Sequence, residues 1–265
     1  MTNRRVAPTD GVAWITGASS GIGRGVALEM ARRGWTVAAS ARRETELEAL
    51  AHEAAGLPGR IVAHAVDVTD AAAVEAVAEA IERTHGPIAL AFFNAGIAPY
   101  VTAPNIDVAA VKQAYDVNVM GVVHGLAAAM PRMARRKFGQ LAVNASIAGY
   151  GGLPRSAAYG SSKAALINMC EAFHFDCVNL GLILQVVNPG FVETPLTGKN
   201  DFPMPFLMKN EDAARRVCDG FERGGFEITF PRRFAYILKA INLLPYPLYF
   251  AIVGRTTGWR KTGPS

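Results

Sequence analysis

Two kinds of segment recur along the chain. Short, continuously apolar runs alternate with longer segments in which apolar residues recur every three or four positions. A continuously apolar run predicts a strand that helices cover on both faces, whereas the longer spacing predicts an amphipathic helix. The predicted strands are 12–16, 35–40, 60–66, 88–94, 139–146, 182–188 and 226–230.

The longer segments predict helices at 22–33, 44–55, 70–84, about 107–135, 157–180 and 210–223. Thr69 with Asp70, and Asn210 with Glu211, offer capping side chains at two helix starts. Strand and helix alternate without interruption, which predicts a parallel sheet with right-handed crossovers. No linker rich in Pro, Gly or Ser divides the chain, so we expect one α/β domain over residues 1–265.

The composition agrees with one large globular domain. Of the 265 residues, 51% are hydrophobic and 18% are charged, and the net charge is +5. The basic residues occur as pairs or triplets separated by long apolar stretches, whereas a nucleic-acid-binding protein more often clusters them on one element. We therefore do not expect nucleic acid as the partner, while anionic small ligands and an anionic membrane surface stay open.

The cysteines and the N-terminus argue against a disulfide-bonded, a metal-binding or a secreted protein. Cys170, Cys177 and Cys218 are odd in number and lack paired spacing, which argues against a disulfide framework. No Cys and His residues have metal-ligand spacing, so no metal site is predicted. The first residues contain no apolar core of signal-peptide length, which favours a cytoplasmic protein.

A glycine-rich turn follows the first predicted strand and opens the first predicted helix. Gly17, Gly21 and Gly23 have the spacing G-x-x-x-G-x-G. Glycines let backbone N–H groups approach a pyrophosphate closely, and the start of a helix adds partial positive charge. We therefore expect a dinucleotide phosphate site here, contacted by Gly17, Ser19, Ser20, Gly21, Ile22 and Gly23.

The end of the second predicted strand bears on the choice of dinucleotide. Such folds commonly place an acidic residue there for a ribose 2′-hydroxyl, or an arginine nearby for a 2′-phosphate. This chain has Ala41 at that place, followed by Arg42 and Arg43. Two guanidinium groups favour a phosphate, so the predicted cofactor is NADP(H). An ordinary solvated arginine pair is the alternative.

Tyr159 and Lys163 lie four positions apart in a predicted helix, and thus on one face. On spacing alone they could be an ordinary exposed pair. Ser146, at the end of the fifth predicted strand, lies at the sheet edge where ligands bind in such folds, which favours a site that contains all three side chains.

With these motifs the chain resembles the short-chain dehydrogenases/reductases. The resemblance extends from Val12 to about Thr194, and more loosely to Phe230. It implies a doubly wound (Rossmann) parallel sheet with helices on both faces and, here, a C-terminal helical extension. The motifs are "TGASSGIG" (16–23), "NAG" (94–96), "VNVMG" (117–121), "NASIAG" (144–149), "YGSSK" (159–163) and "NPGFVETP" (188–195).

The resemblance also implies a catalytic role for four residues. Tyr159 would be the general acid/base for a carbonyl–alcohol pair, and the Lys163 ammonium would lower the tyrosine pKa toward neutrality. Lys163 would also bind the nicotinamide ribose. Ser146 would hydrogen-bond the substrate oxygen, and Asn118 would hold a water that connects the lysine to solvent.

Further cofactor contacts are implied by the same motifs. Two departures accompany them: Phe93 precedes Asn94 where many members have asparagine, and the fifth strand ends Asn-Ala-Ser where paired serines are common. Neither removes a catalytic residue. The implied contacts are Asp67 and Val68 at the adenine, Asn94, Ala95 and Gly96 beside the adenosine, Pro189, Gly190, Val192 and Thr194 at the nicotinamide, and Tyr159 with Lys163.

The segment 195–211 corresponds to the family's substrate lid. Its apolar residues are Phe202, Met204, Phe206, Leu207 and Met208, which predict a small lipophilic carbonyl or alcohol as substrate. Packing of this loop against a partner subunit is the alternative, and a homo-dimer or homo-tetramer is expected.

The tail, 231–265, is apolar but interrupted by Lys239, Asn242, Pro245 and Pro247, which makes it a poor bilayer-spanning helix. It could cover the substrate pocket, form a dimer arm, or lie on a membrane surface. The predicted function is thus that of an NADPH-dependent carbonyl reductase working in either direction. The alternatives are a non-catalytic NADP(H) sensor or scaffold and a membrane-peripheral lipid-binding protein.

Overall fold

The protein forms one seven-stranded, wholly parallel sheet with the strand order β3-β2-β1-β4-β5-β6-β7. The structure, a computed structural model, describes residues 4–199 and 202–259. The strands are β1 (Val12–Thr16), β2 (Thr36–Ala41), β3 (Arg60–Ala65), β4 (Ile88–Phe93), β5 (Gln140–Asn144), β6 (Ile183–Pro189) and β7 (Glu227–Phe230).

Helices cover both faces of this sheet, and the predicted fold class is confirmed. Every predicted strand is present, with ends that differ by no more than two residues. The helices are α1 (Gly21–Arg32), α2 (Glu44–Glu53), α3 (Ala71–His85), α4 (Val108–Tyr115), α5 (Gly121–Arg136), α6 (Ala157–Asn179), α7 (Asn210–Arg223), α8 (Arg232–Asn242) and α9 (Tyr246–Thr256).

The strand order places the functional crevice. The chain runs outward from β1 through β2 to β3, then returns to the other side of β1 and continues from β4 to β7. In a doubly wound sheet this reversal opens a crevice beyond the carboxyl ends of the strands, where ligands bind. The ends of β1 and β4 lie directly beside it.

Two apolar layers fill the space between sheet and helices. Because successive strand residues point to opposite faces, Trp14 and Phe93 enter one layer, while Ile15 and Phe92 enter the other. The Trp14 indole donates to Ser40 Oγ at 3.0 Å, so its polar atom is satisfied inside the core.

The helical segment predicted at about 107–135 is present, but it contains a π-turn that the sequence did not predict. The chain forms α4, then one turn of π-helix at Asp116–Met120, then α5. A π-turn is a local bulge that often marks a functional position. Apolar periodicity does not reveal it, since the extra residue shifts the buried face without interrupting the helix.

The capping predictions have different outcomes. Asp70 accepts a hydrogen bond from Ala73 N at 3.0 Å and caps α3 as expected. Asn210 does not cap α7, because it is the first helical residue and Lys209 occupies the cap position. Its side chain instead donates to Gly21 O at 2.9 Å and joins α7 to the glycine-rich turn.

Over its described residues, 231–259, the C-terminal extension is helical, as predicted, and forms α8 and α9. Within residues 4–199 and 202–259, no helix has the length and apolar character that crossing a bilayer requires. The sequence-based proposals of cytoplasmic location and of a homo-oligomer stay predictions.

Close packing between α5 and the sheet allows a stability test. A Cβ added to Gly125 would lie 2.3 Å from the ring of Phe93, which itself packs edge-on against Trp14. We expect Gly125→Ala to lower the free energy of unfolding by about 1–3 kcal/mol through overpacking. Denaturant titration measures the change.

Gly254→Ala is the matched control, because a Cβ there would lie 3.7 Å from its nearest neighbour, Trp259 O. Alanine is the better helix former by about 1 kcal/mol, so this variant should be neutral or more stable. Equal effects of the two substitutions would contradict the packing described for Phe93.

Candidate active site

Ser146 lies two residues beyond the end of β5, in the crevice. It is the N-cap of a single 3-10 turn, Ile147–Gly149, and its Oγ accepts from Ala148 N at 3.1 Å. The same hydroxyl donates to Pro189 O, at the end of β6, over 3.5 Å. Ser146 is therefore held by the ends of two neighbouring strands.

Tyr159 and Lys163 reach the same place from the first turns of α6. The Tyr159 hydroxyl hydrogen-bonds the Ser146 side chain. The Lys163 Nζ donates to Asn144 O, the last carbonyl of β5, at 2.6 Å, and lies 5.7 Å from the Tyr159 ring centroid. The structure thus brings together three side chains that the sequence separates.

Burial affects the protonation of this pair. Lys163 is only 2% exposed, and burial lowers its pKa to about 7 because an ammonium ion loses hydration there. Burial also raises the pKa of Tyr159, and the hydrogen bond with the Ser146 side chain opposes that rise. The net effect of the protein's own groups is thus to raise the pKa of Tyr159, whereas the sequence led us to expect that it would be lowered.

Asn118 lies in the π-turn and is fully buried. Its Nδ2 donates to Ile97 O and to Ser162 Oγ, both at 2.9 Å, and its Oδ1 accepts from Ile97 N at 2.8 Å. Both N–H groups of the side-chain amide thus donate to protein atoms, and these bonds join the loop after β4 to α6. A role for Asn118 in binding water stays a prediction.

The glycine-rich turn has the form that a dinucleotide needs. Gly17 and Gly21 have φ angles of +67° and +56°, which side chains rarely adopt. A Cβ on Gly17 would lie 2.7 Å from Ala95 Cα, and one on Gly23 would lie 2.5 Å from Gly17 O. The turn therefore lies flat against the sheet edge, and α1 starts directly after it.

Asn94 connects this turn to the catalytic side of the crevice. Its Nδ2 donates to the carbonyls of Thr16 and Gly17 at 3.2 Å each, and its Oδ1 accepts from Asn144 Nδ2 at 2.9 Å. Asn144 is the residue whose carbonyl holds Lys163. The ends of β1, β4 and β5 are thus joined by side-chain amides. The departure at Phe93 leaves this network intact, because Phe93 points into the core.

Gly96 leaves room above the lysine. A Cβ there would lie 3.3 Å from Asn118 Oδ1 and 3.5 Å from Lys163 Nζ. A side chain would fill the space over the ammonium group. Together with the glycine-rich turn, this cradle fits a nicotinamide dinucleotide lying along the sheet edge.

Two arginines follow the end of β2. Ala41 is buried, while Arg42 and Arg43 are exposed. Arg43 forms an ion pair with Glu46 at 3.1 Å and donates to Ser19 Oγ at 3.1 Å, so part of its hydrogen-bonding capacity is already used. Arg42 lies near Asp67, the residue expected at the adenine.

Asp67 and Val68 follow β3 at the same edge. Asp67 Oδ1 accepts from Thr69 N at 3.0 Å and from Thr69 Oγ1 at 2.8 Å. These bonds, the backbone one foremost, and the charge of Arg42 lower the pKa of Asp67, so the carboxylate is ionised at neutral pH. Val68 is buried and its carbonyl is within 2.8 Å of His124 Nδ1.

The residues after β6 form the opposite wall. Gly190 N donates to Phe230 O at 2.7 Å. Val192 is buried and bridges to Met208, whose N–H donates to Phe191 O at 3.0 Å. Thr194 N donates to Thr197 Oγ1 at 3.0 Å, which folds this segment into a compact turn beside Gly21.

The predicted lid, 195–211, lies partly outside the described residues, since residues 200 and 201 are not described. Of its apolar residues, Met208 packs against the core, whereas Phe206 and Leu207 are exposed. Phe202 meets Phe191, and Phe206 meets Phe234 of α8, with ring centroids 6.0 Å and 5.5 Å apart. The lid thus shares an aromatic cluster with the C-terminal extension.

A polar network that sequence reasoning missed lies beside this site. The Tyr150 hydroxyl donates to Glu227 Oε1 at 2.6 Å, Asn188 Nδ2 donates to the same oxygen at 2.8 Å, and Lys239 Nζ donates to Glu227 Oε2 at 2.5 Å. The Tyr249 hydroxyl donates to Gly152 O at 2.7 Å. The extension is thereby fastened to the loop that follows Ser146. The one signal in the sequence is that Glu227 and Lys239 are single charged residues within apolar stretches, which is compatible with an ion pair between them.

Comparison with known families matches residues 11–203 to the family described as short chain dehydrogenase. An uncharacterised oxidoreductase of Myxococcus xanthus is 39% identical over 243 residues, which cover 92% of this chain and 96% of that protein. A 3-oxoacyl-acyl-carrier-protein reductase of Thermotoga maritima is 32% identical over 188 residues, or 71% of this chain and 76% of that enzyme.

Solved structures agree with these sequence matches. An alcohol dehydrogenase of the archaeon Thermococcus sibiricus, complexed with 5-hydroxy-NADP, superimposes with a TM-score of 0.75 at 27% identity and covers 83% of this chain and 95% of that one. A short-chain type dehydrogenase/reductase of Mycobacterium marinum gives a TM-score of 0.76 at 26% identity, with coverage of 84% and 94%.

The buried lysine gives a pH-dependent stability. Its pKa is about 7 in the folded chain and near the ordinary value of 10.5 when the chain is unfolded. The unfolded chain therefore binds more protons in this window, so the destabilising effect is full below about pH 7 and fades as the pH rises toward 10.5. We expect Lys163→Met to raise Tm most at or below neutral pH.

Thermal unfolding of both proteins across this pH range measures the effect. The difference in Tm between variant and parent should shrink steadily on the alkaline side. A difference that stays constant with pH would show that the ammonium ion is not destabilised by its surroundings.

Proposed function

Because the chain belongs to the short-chain dehydrogenase family, we propose that it is an NADPH-dependent oxidoreductase that interconverts a lipophilic ketone or aldehyde and its alcohol. The observation that carries the proposal is the convergence of Ser146, Tyr159 and Lys163 at the end of β5. A hydroxyl, a phenol and an ammonium group in one crevice can bind a carbonyl oxygen and deliver a proton to it.

When bound, the dinucleotide supplies a hydride to the carbonyl carbon, and the protein supplies orientation and the proton. Ser146 Oγ hydrogen-bonds the substrate oxygen and holds it beside the Tyr159 hydroxyl. Tyr159 gives its proton to that oxygen in reduction and takes it back in oxidation. Hydride and proton together convert the carbonyl to the alcohol, and the phenolate left on Tyr159 faces the Lys163 ammonium.

Two opposing effects set the acidity of Tyr159. Burial favours the neutral phenol. The Lys163 Nζ lies 5.7 Å from the tyrosine ring centroid. At about 6 Å and an effective dielectric constant of about 20, a phenolate and an ammonium attract by about 3 kcal/mol, or about two pKa units. The groups therefore titrate as a coupled pair, and a pH–rate profile reports values that belong to both.

The preference for NADPH rests on the end of β2. Ala41 offers no carboxylate to repel a 2′-phosphate, and Arg42 is exposed beside it. Arg43 is shared with Glu46 and Ser19, so Arg42 would supply most of the attraction. The solved alcohol dehydrogenase with 5-hydroxy-NADP, a relative in fold and sequence, supports the same preference.

A lipophilic substrate is proposed from the apolar residues beside the crevice. Phe191, Phe202, Phe206 and Phe234 form the aromatic cluster between lid and extension. Such rings favour an alkyl or aryl group over a charged one. One relative is a reductase of 3-oxoacyl groups, which are ketones carried on an acyl chain.

The central prediction is that Tyr159→Phe lowers kcat by about 10²–10⁴-fold, because the general acid/base is lost. Binding of NADPH, measured by fluorescence titration, should change little. A panel of lipophilic ketones, followed by loss of NADPH absorbance, provides the assay.

Tyr115→Phe is the matched control, since Tyr115 lies at the exposed end of α4. It should leave turnover unchanged. Undiminished turnover by Tyr159→Phe would refute the assignment of the acid/base. A parent protein that binds NADPH but reduces no ketone in a broad panel would instead be a sensor or scaffold.

Cofactor preference is tested by removing one guanidinium at a time. A charge-assisted hydrogen bond contributes about 1.5–3 kcal/mol, so Arg42→Gln should raise KM for NADPH by about tenfold or more and leave KM for NADH nearly unchanged. Arg43→Gln should have a smaller effect, because Glu46 already competes for that side chain. Equal or better use of NADH by the parent would defeat the proposal.

A further inference from the structure

The two C-terminal helices present most of their apolar residues to solvent. α8 buries only Ala235, and α9 buries only Tyr249 and Val253. Leu243 is 86% exposed and Tyr246 is 75% exposed. We name the following group the C-terminal apolar surface: Tyr236, Ile237, Leu243, Tyr246, Leu248, Phe250 and Trp259. A concentration of this kind commonly marks a binding surface.

The exposed residues have a regular arrangement. In α8, Tyr236 and Ile237 are followed one turn later by exposed Ala240, and Leu243 follows after another turn. In α9, Tyr246 and Phe250 are four apart, and their rings stack with centroids 5.6 Å apart. The exposed residues therefore belong to two consecutive helices and the short segments that follow them.

The tail itself carries charge of one sign. Residues 231–265 contain no Asp or Glu, and their basic residues are Arg232, Arg233, Lys239, Arg255, Arg260 and Lys261. Lys239 is paired with Glu227. Arg232 and Arg233 are exposed in the first turn of α8, where the helix dipole disfavours cations. An anionic partner would stabilise these exposed arginines.

A second copy of the chain fits the surface poorly. In a symmetric dimer the same patch lies on both subunits. Such an interface would contain the arginines of both copies, and neither tail supplies a carboxylate to pair with them. An anionic lipid surface offers both an apolar layer and phosphate groups, and so complements the apolar and the basic residues together.

We propose that α8 and α9 lie on an anionic lipid bilayer, with the C-terminal apolar surface in the headgroup region and Arg232, Arg233 and Arg255 at lipid phosphates. Each helix has 11 residues and is about 16 Å long, well short of the roughly 30 Å hydrocarbon core. The helices therefore lie along the interface. Tyrosine and tryptophan side chains favour the membrane–water interface, and the surface contains three of them: Tyr236, Tyr246 and Trp259.

The mounting of the two helices suits this role. Lys239 and Tyr249 fasten them to Glu227 and to the Gly152 carbonyl, so the apolar surface keeps a fixed direction relative to the sheet. Phe234 of α8 stacks on Phe191 and meets Phe206 of the lid. The docked face thus adjoins the lid, whatever substrate the enzyme takes.

Vesicle sedimentation with the purified full-length protein tests the proposal. Vesicles of equimolar phosphatidylcholine and phosphatidylglycerol should bind the protein, and vesicles of phosphatidylcholine alone should bind it at least tenfold less. Binding should be lost in about 1 M salt, where the Debye length is about 3 Å. Arg232→Gln with Arg233→Gln should weaken binding by about fivefold per residue.

Leu243→Glu and Ile106→Glu form the matched pair. Both replace an exposed apolar residue, but Ile106 lies before α4, outside the C-terminal helices. Leu243→Glu should lower the bound fraction about tenfold or more, while Ile106→Glu should leave it unchanged. Both should keep the parent's Tm.

Three results would overturn the proposal: no binding of the parent to anionic vesicles, equal loss in the two glutamate variants, or a change in solution mass on Leu243→Glu without vesicle binding by the parent. The last result, read by light scattering, would assign the surface to contacts between copies of the chain. None of these measurements depends on catalytic turnover, so failure here leaves the proposed enzyme function separately testable.

Discussion

The hydrogen bond from Lys163 to the Asn144 carbonyl is the contact on which the site depends. It joins α6 to the end of β5, and Asn144 in turn joins β5 to Asn94 and the glycine-rich turn. A buried ammonium ion is costly without partners, so the position of this one carbonyl determines where the lysine can be. The tyrosine, one helical turn away, is placed by the same constraint. The contact that positions the proposed catalytic groups is thus the same contact that accommodates the buried charge.

The same burial explains why acidity cannot be assigned to one residue. It lowers the pKa of Lys163 and raises that of Tyr159, since each neutral form is favoured in the crevice. Their mutual attraction favours the charged pair, as does the hydrogen bond of Tyr159 with Ser146. Proton transfer in the proposed reaction therefore depends on the distance between two side chains as much as on either intrinsic pKa.

Much of the fold was predictable because its signals are local. Continuous apolar runs identified all seven strands. Asp70 indicated the start of α3, because an aspartate side chain can cap the helix that follows it. Tyr159 and Lys163 were found because helical periodicity places them on one face. The π-turn around Asn118 was not predictable, since the helix continues through it and only the spacing of its backbone hydrogen bonds changes. The link of Asn210 to Gly21 was missed for a related reason: it joins residues 189 positions apart.

The bridging carboxylate of Glu227 has a consequence for how this chain could be shortened. Burial alone would raise the pKa of Glu227, but the bonds from Lys239, Tyr150 and Asn188 together lower it. A chain ending after β7 would keep the entire sheet yet leave this carboxylate without its cation, beside the segment that follows Ser146. Removal of the tail would therefore leave the half-buried Glu227 carboxylate without the ammonium group that neutralises it.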